Sequence, residues 1–344
     1  MSINKVDVSV NYYGKPYQTI VTLLTLWKHS RQHIGTIYLV IEKNQPYQQY
    51  GGVKLLQWAL KQLPVEYYYP VHFYYHGSPP IDSLGDRDTR YGLKYQYGLE
   101  NTDKKFHFLS HNDCLYQADL LGMMLEQVND AEEEIAGVGM IGQCWNCPAL
   151  AAQKCDGSRF EQFQPKPQEY RDLLNKYLNV ISLPPAREAI HYNLIEKGQT
   201  YPLPECRLNE YACLINTELY QKLAYPKGKM LPLGAAWHGT DWGTVWFYEM
   251  VNSGYKFLHF PFDPHMVHAP FTPAKSGHVS DNNPEEYSKT EENAHQFLQK
   301  DFPELAYIPS MVRFSIALNK PWTIIRRFFE KAKARLSFFV QSPR

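Results

Sequence analysis

This sequence predicts an α/β fold built on a mainly parallel sheet, and three observations predict it. Short apolar runs alternate with amphipathic segments through the first 142 residues. One run, residues 36–41 (TIYLVI), is apolar without a break, as expected of a strand covered on both faces. The intervening segments have helical length, so right-handed crossovers between parallel strands are the expected connections.

Taken in order, residues 6–11 alternate as a first strand and 17–28 carry apolar residues at helical spacing. The second strand is 36–41 and the second helix 52–63. A third strand is expected at 70–75, a third helix at 87–99 and a fourth strand at 105–110 (KFHFLS). A helix at 118–128 and a strand at 135–142 follow. From 143 to about 204 the pattern weakens into Cys, Pro and polar residues, which reads as an insert. Regularity returns with a strand at 210–215, a helix at 241–253 and a strand at 256–260. Residues 270–290 read as a polar loop, and the chain from about 316 as a basic amphipathic tail. The units expected are thus 1–142, a Cys-containing insert at 143–209, a second half at 210–310 and a tail at 311–344.

With 44% hydrophobic residues in 344, the chain can build one large core or two modest ones. Lys+Arg and Asp+Glu both number 35, and a chain without net charge lacks the positive field of a general nucleic-acid binder. Aromatic residues reach 15%, which suits stacking on bases and sugars but equally suits an ordinary core. No stretch approaches the ~20 apolar residues of a membrane span, and the first residues (MSINKVDVSV) carry no signal-peptide core. The expectation is a cytoplasmic protein with reduced cysteines.

Four segments carry a family likeness. Val8-Ser9-Val10-Asn11-Tyr12 closes the first strand and Ile41-Glu42 the second. Arg90-Tyr91-Gly92-Leu93-Lys94 lies in the third helix, and Phe108-Leu109-Ser110-His111-Asn112-Asp113 ends the fourth strand. In order and spacing they resemble the nucleotide-binding half of GT-A fold glycosyltransferases, in particular the family 2 type. The resemblance covers roughly 6–142 and 230–270. It implies a Rossmann-related, mixed and mainly parallel sheet, and an enzyme moving a sugar from a nucleotide diphosphate donor, such as a UDP-sugar, to an acceptor hydroxyl. By the same likeness Asn11 and Tyr12 pack on the nucleotide. Glu42 stands near the base, where the family usually has Asp. Arg90 and Lys94 lie beneath the diphosphate.

His111-Asn112-Asp113 stands where the family carries its DXD motif. Such a motif works by holding a divalent cation, Mn2+ or Mg2+, that offsets the charge of the diphosphate. Only Asp113 keeps a carboxylate here; His111 can be a second ligand and Asn112 can bond ribose or phosphate. The plainer alternative is a polar turn closing a strand. Asp119 is a further polar candidate, or a residue of the next helix's first turn. In inverting members a carboxylate near the position of Asp241 takes the acceptor's proton. Asp241 or Thr240 could equally cap the helix that follows, and Glu210 is the reserve base. The family often places a metal-binding His after a late strand; His268 fits best and His265 second.

Cys144 and Cys147 form a C-x2-C pair, followed by Cys155 and Cys206. Four thiolates suit a structural Zn2+, which could pin an insert with little core of its own. Buried cysteines packing as small hydrophobes are the alternative. At the C-terminal end Trp322, Ile325, Phe329, Ala332, Leu336 and Phe339 recur at steps of three and four, while Arg326, Arg327, Lys331, Lys333 and Arg335 lie mostly off that face. The stripe packs on the body, or the helix lies on an anionic membrane surface. The leading reading is a metal-dependent transferase with a glycan or lipid-linked acceptor. Its rival is a GT-A-like module that binds a glycan or protein without turnover. A nucleotidyltransferase ranks last, for want of a Gly-rich phosphate loop near the N-terminus.

Overall fold

The computed structural model describes residues 5–48, 51–74, 78–142, 146–236, 240–272 and 282–340, apart from the side chains of 48, 320, 326–328 and 330–340. The first part runs β1 (Val6–Tyr12), α1 (Pro16–Ser30), β2 (Ile34–Ile41), α2 (Gly52–Ala59) and β3 (Val65–Tyr68). Next come α3 (Arg87–Tyr91), α4 (Gln96–Asn101), β4 (Phe106–Ser110), β5 (Cys114–Tyr116), α5 (Leu120–Asn129) and β6 (Ile135–Ile141). The expected insert holds three helices, α6 (Pro148–Ala151), α7 (Pro167–Ile181) and α8 (Pro185–Glu196). After it follow β7 (Leu208–Asn216), α9 (Thr217–Leu223), α10 (Thr244–Asn252), β8 (Lys256–His259) and β9 (Met266–His268). Two long helices end the described chain, α11 (Pro284–Asp301) and α12 (Ser310–Val340).

Seven strands form one sheet in the order β3-β2-β1-β4-β7-β6-β8, and β5 pairs with β9 in a second, two-stranded sheet. Strands β3, β2, β1 and β4 are mutually parallel, β7 runs antiparallel to β4 and β6, and β8 is parallel to β6. The result is the expected mixed, mainly parallel sheet flanked by helices, with one reversed strand, β7, in its interior. Alternate residues serve opposite faces: Phe108 and Leu214 join one apolar cluster, Leu109, Cys213 and Ile215 the other.

Several boundaries differ from expectation for physical reasons. The third strand is β3 and not 70–75; it ends two residues before Pro70, which has no N–H to give a ladder. The single helix expected at 87–99 is two, because Tyr95 adopts a left-handed conformation (φ 65°) between α3 and α4. Residues 143–209, expected to lack regular pattern, are largely helical where described: α7 and α8 both start on a proline at the first helical position, and α7 faces Tyr170, Leu173, Leu174 and Ile181 inward. The loop expected to 290 gives way at Pro284 to α11, capped by the Asn283 side chain. Among the described residues no helix is long and apolar enough to cross a membrane.

Candidate metal centre

The parallel ladder of β4 on β1 carries residues 111–113 to the carboxyl end of the sheet, where open α/β folds place their ligands. Two pairings then fix what surrounds them. The backbone N–H of His111 donates to the Tyr211 carbonyl (3.0 Å), which brings the start of β7 alongside. β5 pairs antiparallel with β9, setting Cys114 opposite His268, and Ala269 N–H donates to the Asp113 carbonyl (2.7 Å). His268 therefore reaches Asp113 from 155 residues away in the chain (268 − 113). Its ring stacks on Tyr211 at 4.3 Å between centroids and 9° between planes.

His111, Asp113 and His268 each offer one ligand atom, and these atoms all lie within 4.8 Å of one another. His268 Nε2 is 3.4 Å and His111 Nδ1 3.8 Å from Asp113 Oδ1. Donors about 2.0–2.2 Å from one ion stand about 3–3.5 Å apart at tetrahedral or right angles, so the spacing fits. More telling, Asp113 Oδ1 and His268 Nε2 are both buried and make no hydrogen bond, while the Nδ1 of His111 faces them and its Nε2 faces Glu210. Buried polar atoms left unpaired are costly, and an ion is one explanation for two of them facing each other beside a third donor, an imidazole. The group can coordinate a divalent metal ion, and it is the one such group among the described residues.

The surroundings set its charge. Burial raises the proton affinity of Asp113, but Lys15, His268 and His111 outweigh it and hold the carboxyl well below the usual range. Lys15 Nζ stands 3.5 Å from Asp113 Oδ2, and both side chains are buried. Burial lowers the pKa of His111 despite Glu210 and Asp113, which keeps a ring lone pair for a metal. Behind it, Glu210 Oε1 lies 3.4 Å from His111 Nε2, and Glu210 Oε2 accepts from Arg207 Nη1 (2.9 Å). Burial pushes the Glu210 carboxyl up, yet Arg207 and His111 bring it down to about 2. A carboxylate with so little proton affinity is a poor general base. Glu210, held by Arg207, thus faces the His111 ring as a carboxylate.

Lys15 is placed by the other end of the chain. It opens α1 in a left-handed conformation (φ 56°), an unusual state for a residue with a side chain. Its N–H donates to the Tyr287 hydroxyl (2.8 Å), and the Glu291 carboxylate accepts from the next free N–H groups, those of Tyr17 (2.9 Å) and Gln18 (3.3 Å). α11 thus caps α1 from outside. Burial raises the Glu291 carboxyl to about 7 against those hydrogen bonds.

Other candidates divide. Asn11 Nδ2 donates to Glu42 Oε1 (3.1 Å), Lys94 Nζ lies 3.9 Å from the same oxygen, and Lys94 also sits 3.8 Å from the Trp242 ring centroid. These three residues form one polar group that ties the first half to the segment bearing Asp241. Tyr12 instead turns into the core against Gly52, where a Cβ would stand 2.1 Å from its hydroxyl, so its side chain does not face a nucleotide. Arg90 is spent internally, on Glu100 (2.7 and 3.0 Å) and on the Leu84 and Gly85 carbonyls. Asn112 donates to the Gly14 carbonyl and Thr19 hydroxyl, which uses its amide hydrogens to hold the start of α1. Asp119 caps α5 through Gly122 N–H. His265 presents its carbonyl to Gln117 N–H and stays outside the cluster.

Asp241 does not cap a helix with its side chain. α10 begins at Thr244 behind Gly243 (φ 81°), and the Asp241 carboxylate lies between Arg207 Nη2 (3.5 Å) and Arg187 Nη2 (3.7 Å), 39% exposed. Arg187 in turn pairs with Glu205, which bonds His191 (2.9 Å), itself bonded to Tyr170 (2.6 Å). Sequence reading missed Lys15, Arg187 and Tyr211. A Lys at a helix N-terminus, against the dipole, was a signal for the first; the others depend on tertiary contacts alone.

Cys147, Cys155 and Cys206 are buried in the apolar cluster on one sheet face, and Cys144 lies outside the described residues. The three described thiols do not converge as metal ligands.

No family model matches the chain, and no curated protein matches it. Solved structures do. A mannosyltransferase, PcManGT from Pyrobaculum calidifontis in complex with GDP-Man and Mn2+, is 13% identical with a TM-score of 0.42, over 99% of this chain and 76% of that one. Mouse xyloside xylosyltransferase 1 is 12% identical with a TM-score of 0.38, over 75% of this chain and 85% of that one. The mannosyltransferase Ktr4p from S. cerevisiae is 8% identical with a TM-score of 0.32, over 65% and 58%. At TM-scores below 0.5 none of these likenesses assigns a function or a residue to this chain.

Proposed function

We propose that the chain is a metal-dependent glycosyltransferase of the GT-A type, acting on a nucleotide diphosphate sugar. One observation carries it. Ligand atoms of His111, Asp113 and His268, those of Asp113 and His268 buried and without hydrogen bonds, meet at the carboxyl end of β4, where an open, mainly parallel sheet binds nucleotides. The donor set, two imidazoles and one carboxylate, suits Mn2+ better than Mg2+, which prefers oxygen throughout. Such an ion supplies charge stabilisation to the departing diphosphate. Asn11, Glu42 and Lys94 would hold the nucleoside side, and the Lys15 cation stands where it can add to the field on the phosphates. Asp241, half exposed and across the sheet end near Trp242, would take the proton of an acceptor hydroxyl, with inversion at the sugar.

The pairing of Asp241 with two guanidinium groups favours a second reading, a module of the same fold that binds a glycan or a protein without turnover. Calorimetry with UDP and GDP, each with Mn2+, Mg2+ or chelator, tests what the two readings share. Slow hydrolysis of the matching nucleotide sugar separates them. Binding of no nucleoside diphosphate under any metal condition sinks the transferase; metal-dependent binding without hydrolysis or transfer leaves the module.

A further inference from the structure

α12 is amphipathic, but it is mounted the wrong way round for a core helix. The side that packs on α2 carries half-buried Val312, Ile316, Asn319 and Thr323. Ile316 comes so close that a Cβ on Gly51 would stand 3.1 Å from its Cγ2. About a third of a helical turn away, at 3.6 residues per turn, runs the apolar stripe. Met311, Phe314, Leu318, Trp322, Ile325 and Phe329 are between 48% and 78% exposed. The alternative raised by the sequence, that this stripe packs on the body, fails for these residues.

Charge singles out what covers it. The whole chain is balanced at 35 basic and 35 acidic residues. Ser310–Val340 instead holds Arg313, Lys320 and the five basic residues noted from the sequence against one acid, Glu330. A second copy docked stripe to stripe would bring these like charges together. An anionic lipid surface takes up the Trp and Phe side chains and attracts the basic flanks at once.

We infer that α12 is a reversible membrane-docking helix, whose outward stripe enters the interface of a bilayer rich in anionic lipid. The inference is independent of the transferase reading, because its readout is partition and not activity. The test is co-sedimentation of the full chain with vesicles of phosphatidylcholine alone and of phosphatidylcholine mixed with phosphatidylglycerol, at low and physiological salt. Binding to the mixed vesicles is expected, several-fold weaker as salt rises. The triple variant Phe314→Ser, Leu318→Ser, Trp322→Ser should lose partition by about tenfold or more. With these side chains exposed, its circular dichroism should stay unchanged. Arg326→Gln with Arg327→Gln and Lys331→Gln should abolish the preference for anionic over neutral vesicles. A chain that stays in the supernatant with mixed vesicles at low salt overturns the inference. So does equal partition into both vesicle types, or a dimer in solution that the triple Ser variant dissociates, which would make a second copy the occupant.

Discussion

Two regions of this chain carry ligand types that could hold a metal, and the fold treats them in opposite ways. The cysteines 144, 147 and 155 are neighbours in sequence with a familiar spacing, yet the described thiols are packed among Tyr170, Leu174 and Phe247 as small apolar groups. His111, Asp113 and His268 are scattered over two distant segments, yet their donor atoms meet, and those of Asp113 and His268 are buried without a hydrogen bond. Sequence spacing reports only what a local loop permits. A metal site needs convergent donors that the protein leaves unsatisfied, and strand pairing supplies that here.

The strongest test of this contrast is Asp113→Asn. It should reduce Mn2+-dependent nucleoside diphosphate binding by more than ~100-fold, beyond what outer-shell changes do. It also removes the charge opposite the buried Lys15, and losing one partner of a buried pair costs about 3–5 kcal/mol. The double variant Asp113→Asn, Lys15→Met should therefore recover stability without recovering metal affinity. If it recovers both, Asp113 is only a structural counter-ion.

Asp241→Asn should lower turnover by roughly 100-fold with donor binding retained, the scale of a lost general base. Near-normal turnover would leave Asp241 as a counter-ion for Arg187 and Arg207. Glu210→Gln, which removes the charge behind His111, should weaken Mn2+ by about 10–100-fold, as second-shell changes do. Unchanged metal affinity on titration would detach Glu210 from the centre.

Support from behind the site is sensitive to pH. The Glu291 carboxyl is raised to about 7, above an unfolded value of about 4.3. A raised carboxyl contributes stability that is complete below the unfolded pKa and is lost as pH rises through the folded one. Urea unfolding should show stability falling by up to a few kcal/mol from about pH 4 to pH 8. Glu291→Gln should flatten that part of the decline; an identical slope in the variant would refute the assignment. The smallest effect is expected at the cysteines. Cys155→Ala should leave the metal content unchanged and cost about 1–2 kcal/mol of stability. Loss of a stoichiometric zinc on that substitution would reverse the contrast drawn above.

Much of the fold was legible in the sequence because a strand such as TIYLVI declares itself by an unbroken apolar run. The helices of the insert were less so, since α8 mixes polar and apolar residues with little periodicity, and their start signals were prolines at 167 and 185. At the site, residues 111–113 and 268 could be singled out by type and order. The internal fates of Arg90, Asn112 and Tyr12 could not, because they depend on which partner lies within reach: Glu100, Gly14 and Gly52. An arginine reads the same in a sequence whether its fork meets a phosphate or a glutamate.

The interior placement of β7 bears on how this chain comes off the ribosome. β4 lies between β1 and β7, and its first residue, Phe106, is matched to Asn216, the last of β7. While residues 111 to 207 are being synthesised, one edge of β4 has no neighbour to close it, and it is a strand with every residue buried in the finished molecule. Sheets that wait for distant segments fold slowly and expose sticky edges meanwhile. The helices α7 and α8, made during that wait, can form from local contacts alone. Yield on expression should therefore depend on translation speed through this stretch and on chaperones that shield an open strand, more than on any single contact in the completed sheet.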